Sequence, residues 1–195
     1  MLLLVFQVRF HGRGGQGVVT AADLLSVAAF DEGHHAQAIP TFGSERMGAP
    51  VVAFCRISDA EIRTREPVLR PDAVAIGDPT LLHLGDLFSG LDPDGSVLVN
   101  TTRSIDELGL AEVGGRRAVV PATDIAREFI GRPVPNAALL GGLAALCGVV
   151  GLEAVASALR DRFSGIVAEG NVRAATAGYE RVVAQVGETA DAGAD

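Results

Sequence analysis

The chain of 195 residues is long enough for one domain with a substantial core, and 48% of its residues are hydrophobic. Its formal net charge is −8, and all 16 of its basic residues are arginines. An acidic chain without a basic run excludes nucleic acid and anionic membranes as expected partners. The absence of lysine excludes Schiff-base chemistry and a P-loop lysine.

The cysteines and the apolar runs limit which metal sites, membrane spans and cellular location can be expected. Cys55 and Cys147 lie in apolar stretches, which predicts buried free thiols. Two thiolates cannot hold an iron–sulfur cluster or a structural zinc ion, so no metal site is expected. The apolar, Gly- and Ala-rich run at residues 137–152 is shorter than the roughly 20 residues of a membrane span. Residues 1–6 lack the basic start of a signal peptide, so we expect a cytoplasmic protein.

Apolar periodicity and turn residues predict alternating strands and helices along the chain. The predicted strands are residues 2–10, 35–39, 51–57, 73–76, 96–99 and 118–120. A helix is predicted at residues 18–30, and short helices are predicted after Asp78-Pro79, from Ser104 and after Pro121. The C-terminal third is expected to be helical at residues 137–149, 152–163 and 167–186.

This alternation is typical of an α/β fold. We expect a three-layer α/β/α domain with a largely parallel, Rossmann-like sheet and a helical C-terminal third. Residues 1–187 are assigned to a single domain. Residues 188–195 are small, polar and acidic, and are expected to form a disordered tail.

A glycine-rich loop lies between the first predicted strand and the first helix. Its sequence is Gly12-Arg13-Gly14-Gly15-Gln16-Gly17. Glycines let the backbone approach a ligand, and the N–H groups of Gly15, Gln16 and Gly17 are expected to face an anion at the helix N-terminus. A nicotinamide or flavin site also needs a carboxylate about 20 residues further on, and residues 34–38 contain none. A tight structural turn and an anion- or amide-binding loop are the other two interpretations.

Two longer blocks resemble a known family. Residues 10–22 read FHGRGGQGVVTAA and residues 36–51 read AQAIPTFGSERMGAPV. Both resemble the gamma subunit, or gamma domain, of pyruvate/2-oxoacid:ferredoxin oxidoreductases. Ser44 stands where that family usually has proline, and Met47 stands where it usually has arginine, which removes a cation.

The resemblance implies a function within a larger enzyme. The complete enzyme would convert a 2-oxoacid of the pyruvate or 2-oxoisovalerate type, coenzyme A and oxidised ferredoxin into acyl-CoA, carbon dioxide and reduced ferredoxin. Thiamine diphosphate and [4Fe–4S] clusters would lie in alpha, beta and delta partner subunits. This chain would contribute to coenzyme A handling and subunit packing, and would hold no cofactor alone. A dinucleotide-dependent dehydrogenase and a non-catalytic scaffold remain alternatives.

The site residues implied for coenzyme A lie in the two loops. They are Gly12, Gly14, Gly15, Gln16, Gly17, Thr41, Glu45 and Arg46. The loop of residues 41–48 follows the second strand, so in a parallel sheet it would emerge beside the glycine loop. Arg46 would supply the cation and the glycine loop would supply the amide donors for one anionic group.

Other polar residues receive a structural or a functional interpretation. His11 is more typical of a hydrogen-bonded structural residue than of a proton carrier, and His34-His35 lacks metal-ligand spacing. Asp78, Asn100 and Asp124 follow predicted strands and serve either as caps or as ligand contacts. No nucleophile and base group together, so we predict no catalytic residue in this chain. The isolated chain is expected to self-associate or to expose a large apolar patch, because of its hydrophobic content and the lack of charges at residues 137–152.

Overall fold

A computed structural model describes residues 5–40 and 47–192, with side chains described as far as residue 187. The strands are β1 (Val5–Arg13), β2 (His35–Pro40), β3 (Pro50–Ser58), β4 (Ala73–Ile76), β5 (Ser96–Asn100) and β6 (Arg116–Val120). The helices are α1 (Val18–Asp31), α2 (Ala122–Ile130), α3 (Asn136–Cys147), α4 (Leu152–Arg162) and α5 (Gly165–Ala192). No described helix is both long and apolar enough to span a membrane.

The six strands form one mixed sheet in the order β2-β3-β1-β4-β5-β6. The pairs β1-β4, β4-β5 and β5-β6 are parallel, which confirms the α/β class and the largely parallel sheet. β3 is the exception, because it runs antiparallel to both β1 and β2. The connection between β2 and β3 is shorter than the dozen or so residues that a parallel crossover needs, so these neighbours pair antiparallel.

The five α-helices cover one face of the sheet. The main core joins residues of all five helices to the inward residues of the strands, such as Val8, Ala75 and Leu98. On the other face, Val74, Ile76 and their neighbours pack under residues 82–91 and 105–113, which contain 3-10 turns and no α-helix. The predicted three-layer arrangement therefore needs correction, because the third layer consists of irregular chain and 3-10 turns.

Helix α3 runs through the centre of the helical layer. Most of its side chains are buried, and its closest partner is α5. Small residues allow this contact: a Cβ added to Gly141 would lie 1.8 Å from the carbonyl oxygen of Ala175, and one added to Gly178 would lie 2.1 Å from that of Ala138. Most of the apolar side chains of residues 137–152 are thus buried within the chain's own core. Self-association stays a prediction, and large exposed side chains that could support it include Phe30, Leu69 and Ile166.

The C-terminal helix also closes one edge of the sheet. The side-chain amide of Gln185 accepts a hydrogen bond from the backbone N–H of Val119 at 3.1 Å and donates one to its carbonyl oxygen at 2.7 Å. Gln185 thus occupies the edge of β6 as a neighbouring strand would. This helix, predicted to end near residue 186, continues to Ala192, into the segment assigned to the tail.

We predict that Gly178→Ala destabilises the chain by about 1–3 kcal/mol, because the new methyl group overlaps the α3 backbone. Gly187→Ala is the matched control in the same helix, since a Cβ there meets nothing within 4 Å. The control should be neutral or stabilise the helix slightly. Urea denaturation of both variants measures the difference, and equal stabilities would contradict the close α3–α5 contact.

Candidate functional site

The glycine loop forms a sharp turn between β1 and α1. Gly15 and Gly17 have φ angles of 94° and 73°, a conformation that other L-residues adopt at a cost. Gly12 is small for a packing reason, since a Cβ there would lie 2.5 Å from Cγ2 of Val18. Gly17 begins α1 without a capping side chain, so the helix presents its N-terminus uncapped by the chain's own side chains.

Gln16 stabilises this turn and does not offer its amide to a ligand. Its backbone N–H donates to the carbonyl oxygen of Arg13 at 3.1 Å. Its side-chain Oε1 accepts from the backbone N–H of Arg13 at 2.8 Å, and Nε2 donates to Asp78 Oδ2 at 2.9 Å. The expectation that the Gln16 N–H faces an anion is therefore wrong.

Asp78 connects the glycine loop to the end of β4. It caps the following 3-10 turn as predicted, accepting from the backbone N–H of Thr80 at 3.0 Å and from its hydroxyl at 2.6 Å. Arg13 Nε lies 3.2 Å from its carboxylate. Burial alone would raise the pKa of Asp78, but the hydrogen bonds from Thr80 and Gln16 and the charge of Arg13 lower it below its usual value. Asp78 is therefore ionised at neutral pH.

The segment that precedes β3 lies against the glycine loop. Gly14 N–H donates to the carbonyl oxygen of Ala49 at 2.9 Å, and Gly48 N–H donates to that of Gly14 at 3.1 Å. Arg13 Nη1 donates to the Gly48 carbonyl at 3.0 Å. The described end of the predicted second loop thus adjoins the glycine loop, although β3 separates β1 from β2. Thr41, Glu45 and Arg46 lie outside the described residues.

A cleft of about 580 Å³ opens beside this turn. Its lining includes Gly14, Gly15 and Gly17, the first turn of α1, Met47, Asn136, Phe163 and three arginines, Arg13, Arg132 and Arg162. Gln16 and Gly12 do not line it. Arg132 and Arg162 have exposed side chains and, among the described residues, no carboxylate within ion-pair distance. The cleft therefore combines a helix N-terminus with two guanidinium groups that make no close ion pair with a described carboxylate. The guanidinium of Arg162 lies 5.7 Å from the ring centroid of Phe163, and its charge also acts on Asp23.

Sequence reasoning missed Arg132, Arg162 and Phe163. Arg132 follows α2, Arg162 is the last residue of α4, and Phe163 comes directly after it. All three are far from the glycine loop in sequence. Only the packing of α4 against α1, and of α3 against both, brings them to the cleft. Asn136 begins α3, and its side chain lies against Gly17, where an added Cβ would approach Nδ2 to 2.8 Å.

Several other candidates have structural roles. Asn100 donates to the Gly77 carbonyl at 2.8 Å and to the Thr123 hydroxyl at 2.7 Å, so it connects β5 to α2. Asp124 is not a helix cap; it pairs with Arg127 at 2.8 Å on the surface. Among the described residues no cluster of His, Cys, Asp and Glu could hold a metal ion. Both thiols are unpaired, and burial raises the pKa of Cys147 to about 11.

His11 is buried beneath the glycine loop and is not a proton carrier at neutral pH. Its side chain is 8% exposed. Burial, with a smaller effect of the Arg9 charge, lowers its pKa from 6.5 to about 4. The imidazole is therefore neutral in the folded protein, as expected of a structural histidine.

This burial predicts a pH dependence of stability. The unfolded chain protonates His11 below about pH 6.5, whereas the folded chain does so only near pH 4, so folding loses stability as pH falls through this range. The loss attributable to His11 amounts to about 3 kcal/mol. We expect His11→Gln to lack this component. Denaturant titrations at pH 7 and pH 4 measure it, and parallel profiles for both proteins would contradict the buried neutral state.

Comparison with known proteins identifies the family. The sequence matches the pyruvate ferredoxin/flavodoxin oxidoreductase family over residues 7–181. The chain belongs to this family. It is 46% identical over 181 residues to the pyruvate/ketoisovalerate oxidoreductases common subunit gamma of Thermococcus kodakarensis, covering 92% of this chain and 98% of that one. The resemblance inferred from the two sequence blocks is thereby confirmed.

Other similar proteins are subunits of the same kind of enzyme. The pyruvate synthase subunit PorC of Methanothermobacter marburgensis is 42% identical over 178 residues, covering 91% of this chain and 98% of its own. The crystal structure of pyruvate oxidoreductase subunit PORC from Thermotoga maritima superposes with a TM-score of 0.81 at 39% identity, covering 91% of this chain and 96% of that one. The chain is a gamma-type chain of an oxidoreductase family.

Proposed function

We propose that the chain is the gamma subunit of a multisubunit 2-oxoacid:ferredoxin oxidoreductase of the pyruvate or 2-oxoisovalerate type. The family membership and the near full-length match to gamma and PorC chains support this assignment. Thiamine diphosphate and the [4Fe–4S] clusters belong in this proposal to alpha, beta and delta partners, and ferredoxin receives the electrons through the cytoplasmic complex. This chain has too few cysteines for a four-thiolate cluster.

The chain's own contribution is to hold coenzyme A. The observation that carries this proposal is the cleft in which Arg132 and Arg162 lack carboxylate partners within the described residues. Coenzyme A carries a diphosphate and a 3′-phosphate. The uncapped N-terminus of α1 suits one phosphate through its backbone N–H groups, and guanidinium forks suit the others.

The glycines of the loop serve this purpose in two ways. Gly15 and Gly17 adopt the left-handed conformation that aims the chain into α1, and Gly14 is fixed by its hydrogen bonds to residues 48 and 49. Gly12 and Gln16 act behind the cleft and position the loop. Thr41, Glu45 and Arg46 stay in the proposal as residues that join the same site.

We predict that Arg162→Gln, and separately Arg132→Gln, raises the KM for coenzyme A of the reconstituted complex about tenfold or more. A charge-assisted hydrogen bond contributes about 1.5–3 kcal/mol, and about 1.4 kcal/mol corresponds to a tenfold change. The KM for the 2-oxoacid should change little, because the thiamine-bearing subunits would bind it. Steady-state kinetics with each substrate varied in turn measures both constants.

Arg127→Gln is the matched control, since Arg127 is an exposed arginine paired with Asp124 outside the cleft. Unchanged coenzyme A kinetics in both cleft variants would contradict the binding proposal and favour a scaffold subunit. A nicotinamide or flavin that copurifies with the chain, detected by absorbance and mass spectrometry, would instead favour the dinucleotide-dependent alternative.

A further inference from the structure

The sheet has a buried polar row on the face opposite the helices. Four buried side-chain atoms of the described chain have no hydrogen-bond partner: Arg9 Nε, His11 Nε2, Gln37 Oε1 and Arg56 Nη1. All four lie on this face of β1, β2 and β3, because the alternate residues of these strands pack into the helical core. Native proteins leave few buried polar groups unpaired, so this concentration needs an explanation.

Arg56 is the centre of the row. The strand register places it between Gln7 on β1 and Gln37 on β2. Its side chain is 4% exposed. Nε donates to Gln7 Oε1 at 3.0 Å, Nη2 makes a long 3.3 Å hydrogen bond to the carbonyl oxygen of Pro67, and Nη1 has no acceptor. Burial lowers the pKa of Arg56 and the charge of Glu66 raises it, but a guanidinium remains protonated at neutral pH.

A second cleft, of about 520 Å³, adjoins Arg56. It lies at the beginning of β1 and the end of β3, whereas the glycine loop follows the end of β1. Gln7, Arg63 and Arg70 contribute to its polar lining, and its cover is the irregular segment between β3 and β4. Long irregular segments of this kind often carry binding functions. Arg63 is already paired with Glu61 at 3.1 Å, and Arg70 is exposed, so Arg56 is the buried cation of this cleft with an unpaired donor.

We propose that this cleft is a carboxylate-binding site with Arg56 as its anchor. Nη1 is buried while the cleft is empty, so the carboxylate has to displace the Pro67 carbonyl from Nη2 to reach it. It then accepts from both nitrogens, in the parallel two-bond geometry that arginine forms with carboxylates. Glu61 and Glu66 line the same cleft and favour a singly charged group over a phosphate. The carboxylate comes either from a free small molecule or from an Asp or Glu side chain of a partner subunit.

The first experiment uses acetate as the probe and the isolated full-length chain. The melting temperature is measured in sodium acetate and in sodium chloride at equal ionic strength and pH 7, because a ligand that binds only the folded chain raises it in a saturable manner. We expect saturable stabilisation by acetate of the natural chain and of Arg127→Gln. The effect should disappear in Arg56→Met, and Arg56→Lys should weaken acetate binding at least tenfold.

Arg56→Lys keeps the test decisive if Arg56→Met fails to fold, because it retains the charge and loses only the planar fork. Circular dichroism verifies that each variant is folded. Coenzyme A titration of the same variants should be unaffected, since Arg56 lies outside the glycine-loop cleft. Failure of coenzyme A binding would therefore leave this proposal standing, and failure of acetate binding would leave the coenzyme A proposal standing.

The second experiment identifies the source of the carboxylate. The complex is purified with the natural chain, Arg56→Lys or Arg127→Gln, and its subunit content is measured by native mass spectrometry. Loss of a partner only in Arg56→Lys supports a partner's Asp or Glu side chain. An intact complex together with saturable, Arg56-dependent acetate stabilisation supports a free carboxylate. An intact complex with no such stabilisation overturns the proposal.

Discussion

The carboxylate of Asp78 holds together the three segments on which the glycine-loop cleft depends. It receives hydrogen bonds from Gln16 of the loop and from Thr80 of the turn after β4, and it pairs with Arg13 at the end of β1. Arg13 in turn binds the Gly48 carbonyl, so the segment before β3 is attached to the same carboxylate. These contacts direct Arg13 towards the loop segments, whereas Arg132 and Arg162 line the cleft without a close ion pair to a described carboxylate.

Much of the fold could be predicted from the sequence because its signals are local. The apolar residues 73–76 predicted a strand with the bounds found in β4, and Asp78-Pro79 predicted a capped turn that the structure contains. The helical C-terminal third followed from its apolar periodicity. The turn that begins at Ser104 was also predictable, and the exchange of hydrogen bonds between Ser104 and Glu107 stabilises it.

The features of the fold and the cleft that could not be predicted from the sequence depend on long-range packing. The direction of β3 is not encoded in its own apolar residues, since parallel and antiparallel strands both bury Ala53 and Cys55. The location of the helices on one face follows from the contact of α3 with α5, which Gly141 and Gly178 allow at backbone distance. The same packing assembles the cleft, so Arg132 and Arg162 carried no local signal. The prediction that the Gln16 N–H faces an anion was wrong because an amide in a glycine loop is equally suited to closing a turn.

The absence of lysine shapes how this chain would recognise anions. Every cation in both proposed sites is an arginine, and a guanidinium keeps its charge at all physiological pH values. His11, the histidine beneath the glycine loop, is held neutral by burial and adds no titratable charge there. In the cleft, a fixed set of charges and helix amides therefore meets the ligand, and pH would act on binding chiefly through the ligand's own phosphates. In the proposed site the chain would therefore add no titrating group of its own near neutral pH, and the affinity would follow the charge of the coenzyme's phosphates.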